Sequence, residues 1–191
     1  GMCHGPTLPA APAASMGGAR SPISALAPVA ANCHLCRMSK SLKRVRAALE
    51  AAGLPPQITE TALARTAEDA ASAVGCEVDQ IGKSIVFQGQ TSGRAVLFVT
   101  AGGNRVDVAK ATALAGEELG KADAALIRAQ TGFAIGGVSP VGHLSPIQCF
   151  FDRRLMDFDV IWAAAGTPHH VFQAEPAELA RICDGQVSDF T

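Results

Sequence analysis

Ile81-Gly82-Lys83-Ser84-Ile85-Val86-Phe87 reads as a β-strand: Ile, Val and Phe dominate it, and Gly89 and Gly93 punctuate the turn that follows. Alternation along a strand puts Ile81, Lys83, Ile85 and Phe87 on one face and Gly82, Ser84, Val86 and Gln88 on the other. Lys83 therefore stands in the more apolar row. An ammonium there is costly unless it meets an anion, a carbonyl or the mouth of a pocket. The alternative is a strand-end lysine whose stem lies on apolar surface while its charge reaches water.

Working outward, the pattern alternates helices and strands. Leu42, Val45, Leu49 and Ala52 recur at helical spacing before Gly53 and Pro55-Pro56. Thr66 caps a short Ala-rich helix closed by Gly75. Beyond the Lys83 strand, Arg94 to Thr100 forms the second arm of a hairpin. Asp107 and Asp123 cap two further helices, the second closed by Gly132. Strands are predicted at Phe133-Ala134-Ile135, Ile147 to Phe151, Phe158 to Ala165 and His169 to Ala174, with Gly166-Thr167-Pro168 as a loop. Pro176 opens a last helix, through Ile182, that Gly185 ends. Hairpins mixed with helices predict an α/β fold with a mixed sheet.

Composition narrows the function. The 191 residues are 48% hydrophobic and 17% charged, a globular balance with enough chain for one domain. A net charge of −1 leaves no broad basic face for nucleic acid, so any such partner is gripped locally. Aromatic residues make up 5% and Tyr is absent, which argues against a base-stacking platform. No apolar run is long enough to span a membrane.

Residues 1–37 are a different kind of sequence. Gly1 before Met2 looks like a tag remnant, and Cys3 to Arg37 is rich in Ala, Pro, Gly and Ser with no Asp or Glu. Such a segment cannot bury enough apolar surface to order itself, so a flexible extension is expected at 1–37 and a single domain over 38–191. Met38, just before a clean helix pattern, is read as the natural start. Without the extension the 16 basic residues lose Arg20 and Arg37 and the net charge becomes −3. Cys33-His34-Leu35-Cys36 has the spacing of half a zinc site, but no second pair exists and no strand precedes it. Metal or redox work is not expected of it, and the remaining cysteines are read as thiols in a reducing cytoplasm.

Two loops are candidates for chemistry. Gly136-Gly137-Val138-Ser139-Pro140-Val141-Gly142-His143 sets glycines, a hydroxyl and an imidazole after a predicted strand. Its main-chain amides can approach an oxyanion closely, although a plain Gly-Pro turn would look the same. Gly166-Thr167-Pro168-His169-His170 is the second. Adjacent histidines on a strand point to opposite sides and would not chelate one metal together. A third ligand such as His143 or Asp152 would also be needed. No nucleophile elbow, Walker loop or dinucleotide fingerprint is present.

Ile81-x-Lys83-Ser84-Ile85-x-Phe87, Thr131-Gly132-x-x-x-Gly136-Gly137-Val138-Ser139-Pro140-x-Gly142 and Ala165-Gly166-Thr167, in that order, resemble the YbaK/prolyl-tRNA-synthetase-associated domain family from about Leu42 to the C-terminus. The resemblance implies a mixed, barrel-like β-sheet flanked by helices. It implies hydrolysis of the ester of mischarged tRNA, typically tRNA for proline carrying alanine, cysteine or another small residue, without a metal or other cofactor. It also implies that the strand lysine and the Gly-x-x-Pro loop line the pocket. The expected catalytic set is Lys83, Gly137, Ser139 and Pro140, with Gly136, His143, Gly166 and Thr167 expected to bind substrate. His143 reads equally well as a pocket polar group or as loop surface.

The chemistry suits such residues. Loop amides can donate to an oxyanion, and Lys83 can hold the ester or the terminal phosphate as a point charge. No protein nucleophile lies beside a base, so positioning of water by the substrate's own ribose hydroxyl becomes the main catalytic factor. The expected partner is the aminoacylated end of tRNA, with prolyl-tRNA synthetase or an elongation factor assisting delivery, in the cytoplasm and away from membranes. A module that captures an aminoacyl end without cleaving it, or a structural partner of a synthetase, are the competing readings.

Overall fold

The computed structural model describes residues 38–62 and 64–191; the predicted extension at 1–37, with its Cys33/Cys36 pair, lies outside them. The elements run α1 (Lys40–Ala51), β1 (Ile58–Glu60), α2 (Ala67–Val74), β2 (Ile81–Gly89), β3 (Ala95–Thr100), α3 (Val108–Ala115), β4 (Leu119–Lys121), α4 (Ala124–Thr131), β5 (Gln148–Asp152), β6 (Ile161–Thr167), β7 (His170–Ala174), α5 (Pro176–Ile182) and β8 (Gln186–Ser188). Short 3-10 turns occupy Val78–Gln80 and Arg153–Asp157. The strands join in the order β1-β7-β6-β2-β3-β5-β8, with β4 also on β2. The β2–β3, β6–β7, β1–β7 and β2–β4 pairs are antiparallel, whereas β2–β6, β3–β5 and β5–β8 are parallel. This is the mixed sheet flanked by helices that the sequence predicts.

Local chemistry starts the helices where caps are available. The Thr66 hydroxyl accepts from the Asp69 amide while Asp69 reaches back to the Thr66 amide, a reciprocal cap that contributes about 1 kcal/mol. Asp107 and Asp123 accept from the first amides of α3 and α4, and Gly116 and Gly132 close those helices in the left-handed conformation. The α1 helix buries Leu42, Val45 and Leu49 and packs on β6.

The central strands are apolar on both faces. All six residues of β3 are buried. Leu97 and Val99 join the main core with Val45, Leu49, Phe133, Phe151 and Phe172. On the other face Val96 and Phe98 pack with Phe150, Phe190 and Ala111. Phe98 stacks on Phe150 at 5.0 Å and meets Phe190 and Phe87 edge-on at 5.0 and 5.7 Å. Truncating such a side chain to alanine typically costs about 3–5 kcal/mol. Opposite β3, Ile85 faces Phe98, Phe87 faces Val96 and Lys83 faces Thr100, so Lys83 does stand in an apolar row.

Some element boundaries differ from the sequence expectation. Phe133-Ala134-Ile135 is not a strand: Ile135 and Gly136 turn, and the Gly137 amide closes the turn on the Ala134 carbonyl at 3.0 Å. Only one of its three apolar side chains enters the core, since Phe133 is fully buried and Ala134 and Ile135 are exposed. The expected loop at Gly166-Thr167-Pro168 starts later, because β6 continues through Thr167 across a bulge at Ala164/Thr167. Three short strands, β1, β4 and β8, carry too few residues to show a period.

Candidate active site

The site comes from a split in the sheet. On one edge β2 pairs with β3 over Lys83–Gln88. On the other edge it pairs with β6 only at Ile81↔Trp162 and Gly82↔Ala163, and with β4 only over Phe87–Gly89. Between these contacts β6 diverges from β2, and a cavity of about 540 Å³ opens beside Lys83, Ser84 and Ile85. The start of α2 supplies Arg65, Thr66, Ala67 and Ala70, and β6 supplies Trp162, Ala163 and Ala164. Ile135, Gly136 and Val138 form one lip, and Thr167, Pro168, His170 and Val171 form the wall beside it. A cavity of this volume accommodates a small molecule or one end of a larger one.

Lys83 is held at the pocket by a main-chain acceptor: its Nζ donates to the Asn104 carbonyl at 2.6 Å. Desolvation is the largest influence on its ammonium and holds its pKa below the usual lysine value, and Arg105 acts in the same direction. Glu68, Asp152 and Asp79 oppose that shift. Ser84 also lines the wall, and its hydroxyl is hidden from solvent with no hydrogen-bond partner among the described residues. Thr167 Oγ1 and His170 Nδ1 lie 2.7 Å apart on the opposite wall.

The glycine loop is fastened from below. Arg44 donates from Nε to the Gly142 carbonyl at 2.9 Å and from Nη2 to the Gly132 carbonyl at 2.8 Å. Its guanidinium lies over the Phe133 ring at 4.7 Å. One planar fork thereby ties both ends of the loop to α1. His143 Nε2 donates to the Ser139 carbonyl at 2.7 Å, which assigns the ring proton to Nε2. Burial lowers the pKa of His143, and nearby Arg44 adds to this against the Ser139 hydrogen bond.

The sequence-derived candidates divide between places. Lys83, Gly136 and Thr167 line the cavity. Gly137 is buried behind Thr167, and its amide is engaged by Ala134. Ser139 is fully buried, and its hydroxyl accepts from the Val141 amide at 3.3 Å. Gly166 sits at the β6 bulge with φ +91°, where a β-carbon would meet the Phe133 ring and the Ser41 main chain at 3.0 Å. Pro140 and His143 line a separate cavity of about 280 Å³ with Cys183. His169 is exposed in the turn while His170 faces the site, and no cluster of three metal-ligating side chains occurs among the described residues. Sequence reasoning passed over Asn104, whose part is played by a carbonyl that every residue carries, and over Ser84, and it weighed His170 only as a metal ligand.

This fold and site define a class of protein. Residues 61–182 match the aminoacyl-tRNA editing domain family, and the chain belongs to that family. It is 46% identical to a crystal structure described as a proposed trans-editing enzyme for prolyl tRNA synthetase, with a TM-score of 0.75 over 81% of this chain and 98% of that one. The hypothetical protein APE2540 superimposes with a TM-score of 0.70 at 25% identity, covering 76% of this chain and 97% of that one. Among curated proteins, the uncharacterized protein YwhH of Bacillus subtilis (strain 168) is 28% identical over 148 residues, 77% of this chain and 94% of its own length. Among the described residues no helix is long and apolar enough to cross a membrane.

Proposed function

We propose that the chain hydrolyses the ester of mischarged tRNA, with tRNA for proline carrying alanine, cysteine or another small amino acid as the substrate class. The observation that carries this reading is that Lys83, beside the gap between β2 and β6, lines the same cavity as Gly136 and Val138 of the glycine loop. The cavity has room for an aminoacylated ribose and none for a helical stem, so only the end of the tRNA enters. Lys83 holds the ester or the terminal phosphate as a point charge. The amides of Gly136 and Val138 donate to the carbonyl oxygen as it becomes an oxyanion, since the Gly137 amide is already taken. Water, oriented by the neighbouring ribose hydroxyl, adds to the carbonyl. The ester C–O bond then breaks, the ribose oxygen takes up a proton, and free amino acid and tRNA leave.

In this scheme Gly137 and Gly166 shape the wall that presents Thr167, and Ser139 braces the loop from within. Pro140 and His143 act from the far side of that loop. The reaction takes place in the cytoplasm, with prolyl-tRNA synthetase or an elongation factor helping delivery.

A panel of mischarged tRNAs assayed for release of free amino acid tests the proposal. Cleavage of Ala- or Cys-tRNA(Pro), with Pro-tRNA(Pro) spared, is the expected result. A chain that retards mischarged tRNA but leaves every ester intact would be a binding module instead.

A further inference from the structure

The Lys83 ammonium is not aimed by its own strand alone, because its acceptor belongs to the turn after β3. We propose that Asp152, at the buried end of β5, is a positioning residue that fixes Asn104 and, through the Asn104 carbonyl, aims Lys83 into the pocket.

Asp152 is 3% exposed and lies under that turn. Its Oδ2 accepts from the Ala101 amide at 3.1 Å and from Asn104 Nδ2 at 2.8 Å. Its Oδ1 accepts from the Arg154 amide at 2.9 Å. The Arg154 guanidinium is directed elsewhere, to Asp79 at 3.2 Å and Asp157 at 2.9 Å. The carboxylate of Asp152 is thus committed to amide donors, two of them on the segment that carries the Lys83 acceptor. Asp79 holds the same turn from its outer side through the Gly103 amide at 2.9 Å.

This arrangement makes a relay from the sheet to the ammonium. Strand β5 pairs in register with β3 through Val99↔Phe151, so the position of Asp152 beyond that pair is set by the core. Asn104 is held on two sides: its side-chain amide donates to Asp152 and its main-chain carbonyl accepts from Nζ. A free lysine samples many rotamers, and a fixed acceptor at 2.6 Å selects among them. The charged groups that influence the ammonium are Glu68 on α2, Asp79 on the 3-10 turn, Arg105 after Asn104, and Asp152. Asp152 is the one among them that also holds the acceptor.

The consequence for rate rests on the role of Lys83 in the proposed reaction, whereas the contact does not. Asp152→Asn removes a charge and one acceptor face, and Asn104→Ala removes only the tether, leaving all charges in place. Both variants are compared with Lys83→Ala in the full chain, using deacylation of mischarged tRNA, thermal melting and the 13Cε titration of Lys83 in lysine-labelled protein. Folded Asp152→Asn should lose about tenfold in kcat with little change in KM, and its Lys83 should titrate at lower pH than in the parent. Asn104→Ala should lose kcat similarly while Lys83 keeps its parental titration. If Asp152→Asn does not fold, Asn104→Ala decides by its kcat. Parental kcat in folded Asp152→Asn or in Asn104→Ala would overturn the relay, whatever the Lys83 titration, which reports the lost charge alone. Full activity of Lys83→Ala would remove the reading of the reaction instead, which separates that failure from a failure of the relay.

Discussion

Gly137 lies against Thr167 so closely that no side chain fits between them. A β-carbon on Gly137 would stand 2.7 Å from the Thr167 Cα and within 2.9 Å of its main-chain N and C. The glycine loop and the end of β6 are thereby pressed into one wall, and the Thr167 side chain is presented to the cavity.

Gly137→Ala should separate those two backbones. Overpacking of this kind typically costs about 1–3 kcal/mol, and displacement of the lip should lower deacylation more than it lowers stability. Gly136→Ala is the informative comparison. Its β-carbon would have nothing nearer than Pro168 Cγ at 3.9 Å, but the residue sits at φ +86°, so only a conformational cost of about 1–2 kcal/mol is expected. Urea melts and deacylation rates of the two variants check the difference.

Lys83→Ala removes one charge-assisted interaction, worth about 2–4 kcal/mol of transition-state stabilisation. At 1.36 kcal/mol per tenfold, deacylation should fall roughly 30- to 1000-fold. Lys83→Arg should also be slow, because the fork is larger and the Asn104 carbonyl is placed for a point donor. Melting temperature should barely move in either variant. Near-parental rates in both would mean that the ammonium serves only to reach water.

The pH dependence of catalysis should carry the signature of that lysine. Desolvation lowers its pKa in the folded chain, so the ammonium is present below this lowered value and is lost as pH rises through it. Corrected for spontaneous ester hydrolysis, the rate should therefore decline on the alkaline side at a pH below the ordinary lysine range. The descending limb should be absent from the residual activity of Lys83→Ala.

His143 makes a separate prediction about stability. Burial lowers its folded pKa below the unfolded value, so the unfolded chain binds the proton more readily. The stability that goes with the neutral ring is present above the unfolded pKa of about 6.5 and is lost as pH falls through the folded pKa. His143→Gln keeps a donor for the Ser139 carbonyl but does not titrate. Its stability should fall less steeply than the parent's below about pH 6.5, as measured by denaturant melts across that range.

If amides and a lysine carry the reaction, strong chelation should leave the rate unchanged. Activity lost in EDTA and restored by zinc would overturn that scheme.

What the sequence alone determined is what neighbours in the chain decide. Thr66, Asp107 and Asp123 cap their helices because a side-chain oxygen reaches an amide two or three residues ahead, whatever surrounds it. The β2–β3 hairpin was legible for the same reason, its turn being set by Gly89 to Gly93. Lys83 could be placed in an apolar row from alternation alone, and the ordered motifs pointed to the editing family. The tertiary structure decided what that row faces. The β2–β6 pairing joins residues about eighty positions apart at just two register pairs, and no local preference shows that the strands then part to leave a cavity. Nor does any local signal announce that Phe133 is buried as a single inserted ring, or that Pro140 and His143 open onto a different cavity from Lys83. The acceptor for Lys83 is a main-chain carbonyl, a group common to every residue. Asn104 stands there in a turn tied to Asp152, which the pairing of β5 with β3 places, and to Asp79.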